Sequence, residues 1–237
     1  MTPDQPLHSA NMEDNFIEKY FRLGVSVTVV LYGFEDGKLK IFTQKISRNP
    51  YAGAWSLPGK MIVPEESLKD ASEDIVMEVI GNKDIYLEQL NAFGKIYRHP
   101  LGRVIDVAFY GLINMKEDIK AMREDKEIKW INADDIPQLA YDHNEILELA
   151  RQRLKRRLVN RPIGFKLLSK EFTLTELQQL YEEILKHPLD KRNFRKKLMK
   201  LDILIPKGHE ETANPGRKPR LFMFNQENYN LYLEQGF

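Results

Sequence analysis

The sequence predicts an α+β protein built in two parts, and three features carry that reading. Five strand candidates (Val25–Tyr32, rich in β-branched residues, then Leu39–Thr43, Ile85–Phe93, Val104–Ile113 and Ile128–Ile131) surround one breaker-poor stretch, Glu66 to Gly81, without the regular strand–helix alternation of a parallel α/β sheet. From Asp142 onward the pattern turns helical and closes on two short apolar runs. Charge breaks near the same place: residues 1–150 carry 17 basic against 25 acidic side chains, a net of −8, whereas residues 151–237 carry 19 against 10, a net of +9. The overall charge of +1 therefore conceals two electrostatic objects, and such asymmetry points to a polyanion meeting one of them.

In the first part, Gly33 to Gly37 (GFEDG) is a turn cluster between two apolar runs and predicts a hairpin. A loop rich in Asn, Pro and Gly, Arg48 to Gly53, leads to Ala54–Leu57 and Pro58-Gly59, and the helix over Glu66–Gly81 ends on glycine, as helices commonly do. The longest apolar run, Val25 to Phe34, is about half of what a membrane-spanning helix needs. The polar, acidic start of the chain, residues 1–15, has no secretory pattern. With no Cys there is no disulfide framework and no thiolate chemistry, and a soluble cytoplasmic protein is expected. Nothing in the sequence calls for a cofactor or a membrane partner.

Asp142 with Glu145 reads as a capping pair for a helix running to about Leu158, with Leu147, Ala150, Leu154 and Leu158 on one face. Its last turns, Arg151 to Arg157, hold five basic residues and no acidic one, which suits either a solvated helix C-terminus or contact with phosphates. Arg161-Pro162-Ile163-Gly164 is a natural boundary. The expected organisation is a tail (1–22), a first domain (23–141), a linker helix (142–162) and a C-terminal domain (163–237).

Phe172-Thr173-Leu174-Thr175-Glu176-Leu177 is the sharpest helix start in the chain. Thr173 and Glu176 form a capping box, and Phe172 and Leu177 form a hydrophobic staple. Pro188 marks the end of that helix, and a second begins near Asp190 with Phe194, Leu198 and Leu201 on its apolar side. With Phe194 at zero and about 100° per residue, Leu198 and Leu201 fall within roughly 40° of it, while Arg192, Arg195, Lys196 and Lys200 lie opposite. Six of the ten residues from Lys191 to Lys200 are basic, and Asn193 lies among them. Arg and Asn can make bidentate contacts to base edges and Lys can hold phosphates, so the face suits a major-groove recognition helix. Ile203–Pro206 and Leu221–Phe224 then read as two strands around a polar loop ending Pro215-Gly216-Arg217-Lys218-Pro219-Arg220. Two helices followed by such a hairpin make a winged helix-turn-helix, whose wing would bring Arg217, Lys218 and Arg220 to the backbone or the minor groove.

In the first part, Trp55-Ser56-Leu57-Pro58-Gly59-Lys60, followed by Glu66 and a helix ending at Gly81, resembles the Nudix signature G-x5-E-x7-R-E-U-x-E-E-x-G-U, where U is a bulky aliphatic residue. From Pro58 to Gly81 the spacing matches without a gap, and Glu66, Val76, Glu78 and Gly81 agree with it. Lys60, Asp74, Ile75, Val79 and Asn82 replace the first glycine, the arginine, two helical glutamates and the last aliphatic residue. Ile and Val supply no oxygen to a divalent metal, so no metal site and no catalytic residue is expected. A register shifted by one would keep Glu65, Asp74 and Glu78 but breaks the Pro-Gly and terminal-Gly anchors together.

A Nudix-like α/β/α sandwich joined to a C-terminal winged helix resembles the Nudix-related transcriptional regulators of bacteria, which include repressors of NAD metabolism and arabinose-responsive regulators. The resemblance runs from about Leu23 to Phe224 and is most specific at Asp190-Lys191-Arg192-Asn193-Phe194-Arg195-Lys196. It implies a homodimer that binds double-stranded operator DNA and senses a small metabolite: a pentose, a sugar phosphate or an NAD-related compound. In a Nudix fold the pocket lies between the box and the sheet, which nominates Arg48, Trp55, Glu66, Arg98 and Arg103 as effector contacts, with His99 beside them. Trp55 equally suits the core, Glu66 a loop brace, and Arg98 to Arg103 a solvated turn. Tyr141 and His143 suit helix entry as well as ligand contact. The alternative is a Nudix hydrolase of ADP-ribose or another nucleoside diphosphate derivative.

Overall fold

A computed structural model describes residues 22–119, 127–161, 163–209 and 218–228. Strands β1 (Gly24–Glu35) and β2 (Lys38–Lys45) form an antiparallel hairpin. Its two-residue turn, Asp36-Gly37, has both residues at positive φ (52° and 73°), the backbone that lets the twist of the turn match the strands. β3 (Trp55–Ser56), β4 (Gly59–Met61), β5 (Tyr86–Phe93), β6 (Val104–Ile113) and β7 (Ile128–Asn132) complete a seven-stranded sheet in the order β3-β2-β1-β6-β5, with β4 on β1 and β7 on β2.

The site depends on a change of partner along β1. Its C-terminal half, Tyr32 to Glu35, pairs with β2, whereas Ser26 to Thr28 pairs with β4 on that side and β6 runs parallel along the other. β2, released from β1, turns to β3 through Gln44 and Lys45. The sheet therefore splits where β2 leaves β1. Gly59 makes the β4 approach possible, because a Cβ there would stand 2.8 Å from the Val27 carbonyl oxygen.

Side-chain alternation gives the sheet two covered faces. Val27, Val29, Leu31, Val107, Phe109 and Ile113 pack beneath helix α1 (Leu68–Ile80) through Ala71, Ile75, Val76, Val79 and Ile80. Ser67 caps this helix by accepting from the Asp70 amide, and Gly81, at φ 70°, ends it in the left-handed conformation. Glu66 thus lies just outside the helix. Val30, Tyr32, Ala108, Tyr110 and Leu112 face the other way, toward α2 (His143–Asn160) and its buried Ile146, Leu147, Ala150, Leu154 and Leu158. Helix, sheet and helix form the expected sandwich.

The entry to α2 departs from the sequence reading. Asp142 is the N-cap residue but makes no side-chain capping bond. Both its carboxylate oxygens are taken by Arg98, at 2.9 and 2.7 Å, and Glu145 pairs with Lys95 instead of reaching back. A bidentate pair with a guanidinium outcompetes a single bond to an amide.

After a 3-10 turn (Ile163–Leu167), β8 (Glu171–Thr173), α3 (Leu174–Leu185), α4 (Lys191–Lys200), β9 (Leu204–His209) and β10 (Arg220–Phe224) form a winged helix with sheet order β8-β10-β9. The capping box is present: the Glu176 amide donates to Thr173 Oγ1 at 3.1 Å and the Thr173 amide to Glu176 Oε2 at 2.7 Å. The same Thr173 pairs with Leu221 of β10, so the helix start is fastened to the wing sheet. Asp190 caps α4 through the Asn193 amide at 2.8 Å, and Phe194 meets Tyr181 of α3 edge-on. The buried cluster on the α2 side of the large sheet continues without a break into Leu177, Leu180, Ile184, Leu198 and Phe222.

Replacing Thr173 by Ala removes one half of the box and is expected to cost about 1–2 kcal/mol. A lowered urea midpoint with unchanged slope checks this; an unchanged midpoint would show that β8 pairing alone fixes the helix start.

Candidate functional site

A cavity of about 430 Å³ opens in the split between β1 and β2, within the size range of small-molecule sites. Its walls differ in chemistry. Ser26, Thr28 and Asp106 form a polar floor on neighbouring β1 and β6. Lys45, Arg48 and Lys60 bring positive charge. His99 and Tyr141, also in the lining, stack with ring centroids 5.4 Å apart and planes 9° from parallel, and Tyr51 meets Tyr141 edge-on. Tyr141 holds this place at φ 56°, a left-handed backbone that is costly for a bulky aromatic residue and typical of functional sites.

The cavity also touches the start of α2. His143, its first residue, lines the cavity and accepts a hydrogen bond at Nδ1 from the Leu57 amide at 3.0 Å. Burial holds the His143 ring far below its ordinary value, at about 4, so it is neutral near pH 7. Arg98 and Asp142, with side chains only 3% and 7% exposed, form the ion pair behind it.

The residues nominated from sequence distribute unequally. Arg48 lines the cavity and is exposed. Arg98 lines it with its guanidinium committed to Asp142. Trp55 is adjacent but not part of the lining; the Lys45 and Lys129 ammonium groups each stand 5.6 Å from its ring, and it packs on the core. Glu66 is also outside the lining and binds Lys60, which belongs to it. Arg103 donates to the Lys95 carbonyl at 2.9 Å, away from the cavity. Asp106 escaped the sequence reading, although an aspartate inside the apolar run Val104–Ile113 was a signal.

No residue of α1, the helix of the Nudix-like box, lines this cavity, and the helix meets the lining through Asp74 and Lys60. Ile75 and Val79 are buried against the sheet, and Asp74 and Glu78 are exposed. The Lys60 ammonium bonds both Glu66 and Asp74. This donor set, one ammonium among two carboxylates with apolar side chains where glutamates would be, does not fit a hard divalent cation. Among the described residues no group of three His, Asp or Glu could hold a metal ion.

On the winged helix, Lys191, Arg192, Asn193, Lys196 and Lys200 are exposed on α4, together with Lys197. Arg195 is half-buried, and its Nε has no hydrogen-bond partner among the described residues. Lys218 and Arg220 are exposed beside the wing, while Arg217 lies outside the described residues. The linker helix divides its cations: Arg153 and Arg157 both bind Glu88 of β5, whereas Lys155 and Arg156 are exposed.

Residues 164–224 match the family model of the NrtR DNA-binding winged helix domain. The crystal structure of Shewanella oneidensis NrtR is 30% identical, superposes with a TM-score of 0.76, and covers 86% of this chain and 95% of its own. The chain belongs to the Nudix-related transcriptional regulators. The ADPR responsive transcriptional repressor NtrR of Acinetobacter baylyi is 28% identical over 87% of this regulator and 84% of the relative. The NUDIX domain of the Shewanella protein, crystallised with ADP ribose, is 28% identical, with a TM-score of 0.50, 62% of this chain and 98% of that one covered. An ADP-ribose pyrophosphatase of Methanocaldococcus jannaschii is 28% identical over 55% of this chain and 76% of its own. Among the described residues of the regulator no helix is long and apolar enough to cross a membrane.

The depressed His143 value has a consequence for stability. Between its ordinary 6.5 and about 4 the unfolded chain takes up a proton that the native one refuses, so stability present above pH 6.5 is lost as the pH falls toward 4. Denaturant titrations of His143→Gln, which keeps an acceptor for Leu57, are expected to show a flatter profile across that window. An identical profile would remove His143 as its source.

Proposed function

We propose that the protein is a transcriptional repressor whose Nudix-like domain binds ADP-ribose and does not hydrolyse it, and whose winged helix reads operator DNA. The observation that carries this is the position of the cavity: it closes on the first residues of α2, and the rest of that helix packs into the core shared with the winged helix. A ligand touching Tyr141 or His143 therefore acts on the element that orients the DNA-reading face. A few kcal/mol of differential affinity between two orientations is enough to switch the operator.

The chemistry of the cavity supports ADP-ribose. Cations on one side suit a diphosphate, a flat aromatic pair suits a base, and a polar floor suits sugar hydroxyls. The Acinetobacter and Shewanella relatives, named for or crystallised with ADP-ribose, support the same reading. As a homodimer in the cytoplasm the protein would present two α4 helices to half-sites about one helical turn, or a multiple, apart. Lys191, Arg192, Asn193, Arg195, Lys196 and Lys200 would face the major groove, with Arg217, Lys218 and Arg220 at the wing. The likeness to a pyrophosphatase favours a second reading, hydrolysis of ADP-ribose; the buried Ile75 and Val79, and a cavity lining that takes no residue from α1, weigh against it.

Fluorescence anisotropy with an operator selected from a random pool tests this. ADP-ribose is expected to weaken binding without being consumed, and Arg192→Ala to cost about 1–3 kcal/mol if it reads a base. Operator occupancy unaffected by ADP-ribose would sink the effector assignment, and magnesium-dependent release of AMP would restore the hydrolase.

A further inference from the structure

The floor of the cavity holds a group that the protein itself does not satisfy. Asp106 is 1% exposed. Its Oδ1 accepts hydrogen bonds from Ser26 Oγ at 2.6 Å and Thr28 Oγ1 at 2.9 Å, which tie β6 to β1. Its Oδ2 is buried and has no partner among the described residues. Burial pushes the Asp106 carboxyl above its ordinary range, and Arg98, whose charge opposes that shift, has turned its guanidinium to Asp142. A buried carboxylate oxygen without a donor is costly, and because Asp106 lines the cavity, a group that enters there would account for it.

We propose that Asp106 Oδ2 accepts a hydrogen bond from a ribose hydroxyl of the bound effector and so selects for the sugar. The proposal rests on the ADP-ribose reading and adds the orientation of the ligand. With their protons directed to Oδ1, the Ser26 and Thr28 hydroxyls offer only lone pairs, so the floor consists of acceptors alone. A diphosphate has no proton to give and would be repelled by the carboxylate. The amino edge of adenine has donors, but it carries ring-nitrogen acceptors on either side that would meet acceptors here. A vicinal diol supplies two donors and no obligatory acceptor. The diphosphate then lies toward Lys45 and Arg48.

Isothermal titration of the full-length protein with ADP-ribose, and with analogues each lacking one ribose hydroxyl, tests this on the wild type and on Asp106→Asn. Asparagine keeps the acceptor for Ser26 and Thr28 but turns the free acceptor into a donor. ADP-ribose affinity is expected to fall about 10- to 100-fold in the variant, the range of a hydrogen bond to a charged group, with operator binding in the absence of effector retained. One deoxy analogue should lose a similar factor on the wild type and little more on the variant, because the two changes remove the same bond. Equal affinity of wild type and variant for ADP-ribose, or losses that simply add, would reduce Asp106 to a strand brace and overturn the proposal while leaving the effector reading intact. A wild type that binds its operator but not ADP-ribose would overturn both. Should Asp106→Asn fail to fold, the wild type alone decides: no deoxy analogue losing tenfold refutes the proposal.

Discussion

Helix α2 meets a cavity at one end and packs into the core of the winged helix along its length, so its placement relates the two domains. Two charge clusters fix α2. At its start, Arg98 grips Asp142 with two bonds in a nearly dry environment, where removing one partner would strand the other charge. Further along, Glu88 of β5 takes three bonds from Arg153 and Arg157 on one oxygen and two, from Tyr86 and Tyr110, on the other. The arginines and tyrosines offset the desolvation of that carboxylate and hold its pKa down to about 2. The helix is thereby locked to two strands of the sheet, and β6, which carries Tyr110, also carries Asp106 in the cavity floor.

These contacts revise the electrostatic division of the chain. The positive excess of the second half begins at Arg151, but Arg153 and Arg157 are spent on Glu88, and Arg151 is half-buried. What the linker helix offers to solvent is Lys155 and Arg156. The field available to a nucleic acid is therefore concentrated on α4 and the wing. Lys38 and Lys186, both near Glu183, add an ionic seam between β2 and α3, and Lys186 reaches Asp134 as well. Charge in this protein serves joining as much as binding.

The two helices and the hairpin of the winged helix were legible because their determinants are local: a capping box spans four residues, and an amphipathic face can be read within one helix; β8, three residues paired to a distant strand, was not. The sandwich was legible from alternation and from the gapless Nudix-like spacing. The cavity was not, because it arises from β1 changing partner between residues far apart in sequence, which no local pattern encodes. Asp142 illustrates the same limit. Its spacing to Glu145 is that of a cap, yet a guanidinium 44 residues away takes its oxygens. Glu66 and Trp55 were drawn toward the site by the Nudix spacing, and each occupies a place beside it.

The divergence of the box is a matter of where α1 points as well as of which residues it has lost. Ile75 and Val79 fill the layer between that helix and the sheet with Ala71, Val76 and Ile80. A glutamate restored at either position would enter this apolar layer, where an unpaired carboxylate neutralises or unfolds its surroundings before it binds a cation. The acids that α1 retains, Asp74 and Glu78, are on its solvent side, and Lys60 already places an ammonium between Asp74 and Glu66. The cation is thus built into the chain, and the helix face is committed to packing. The cavity between β1 and β2, by contrast, has Lys45 and Arg48 in its lining.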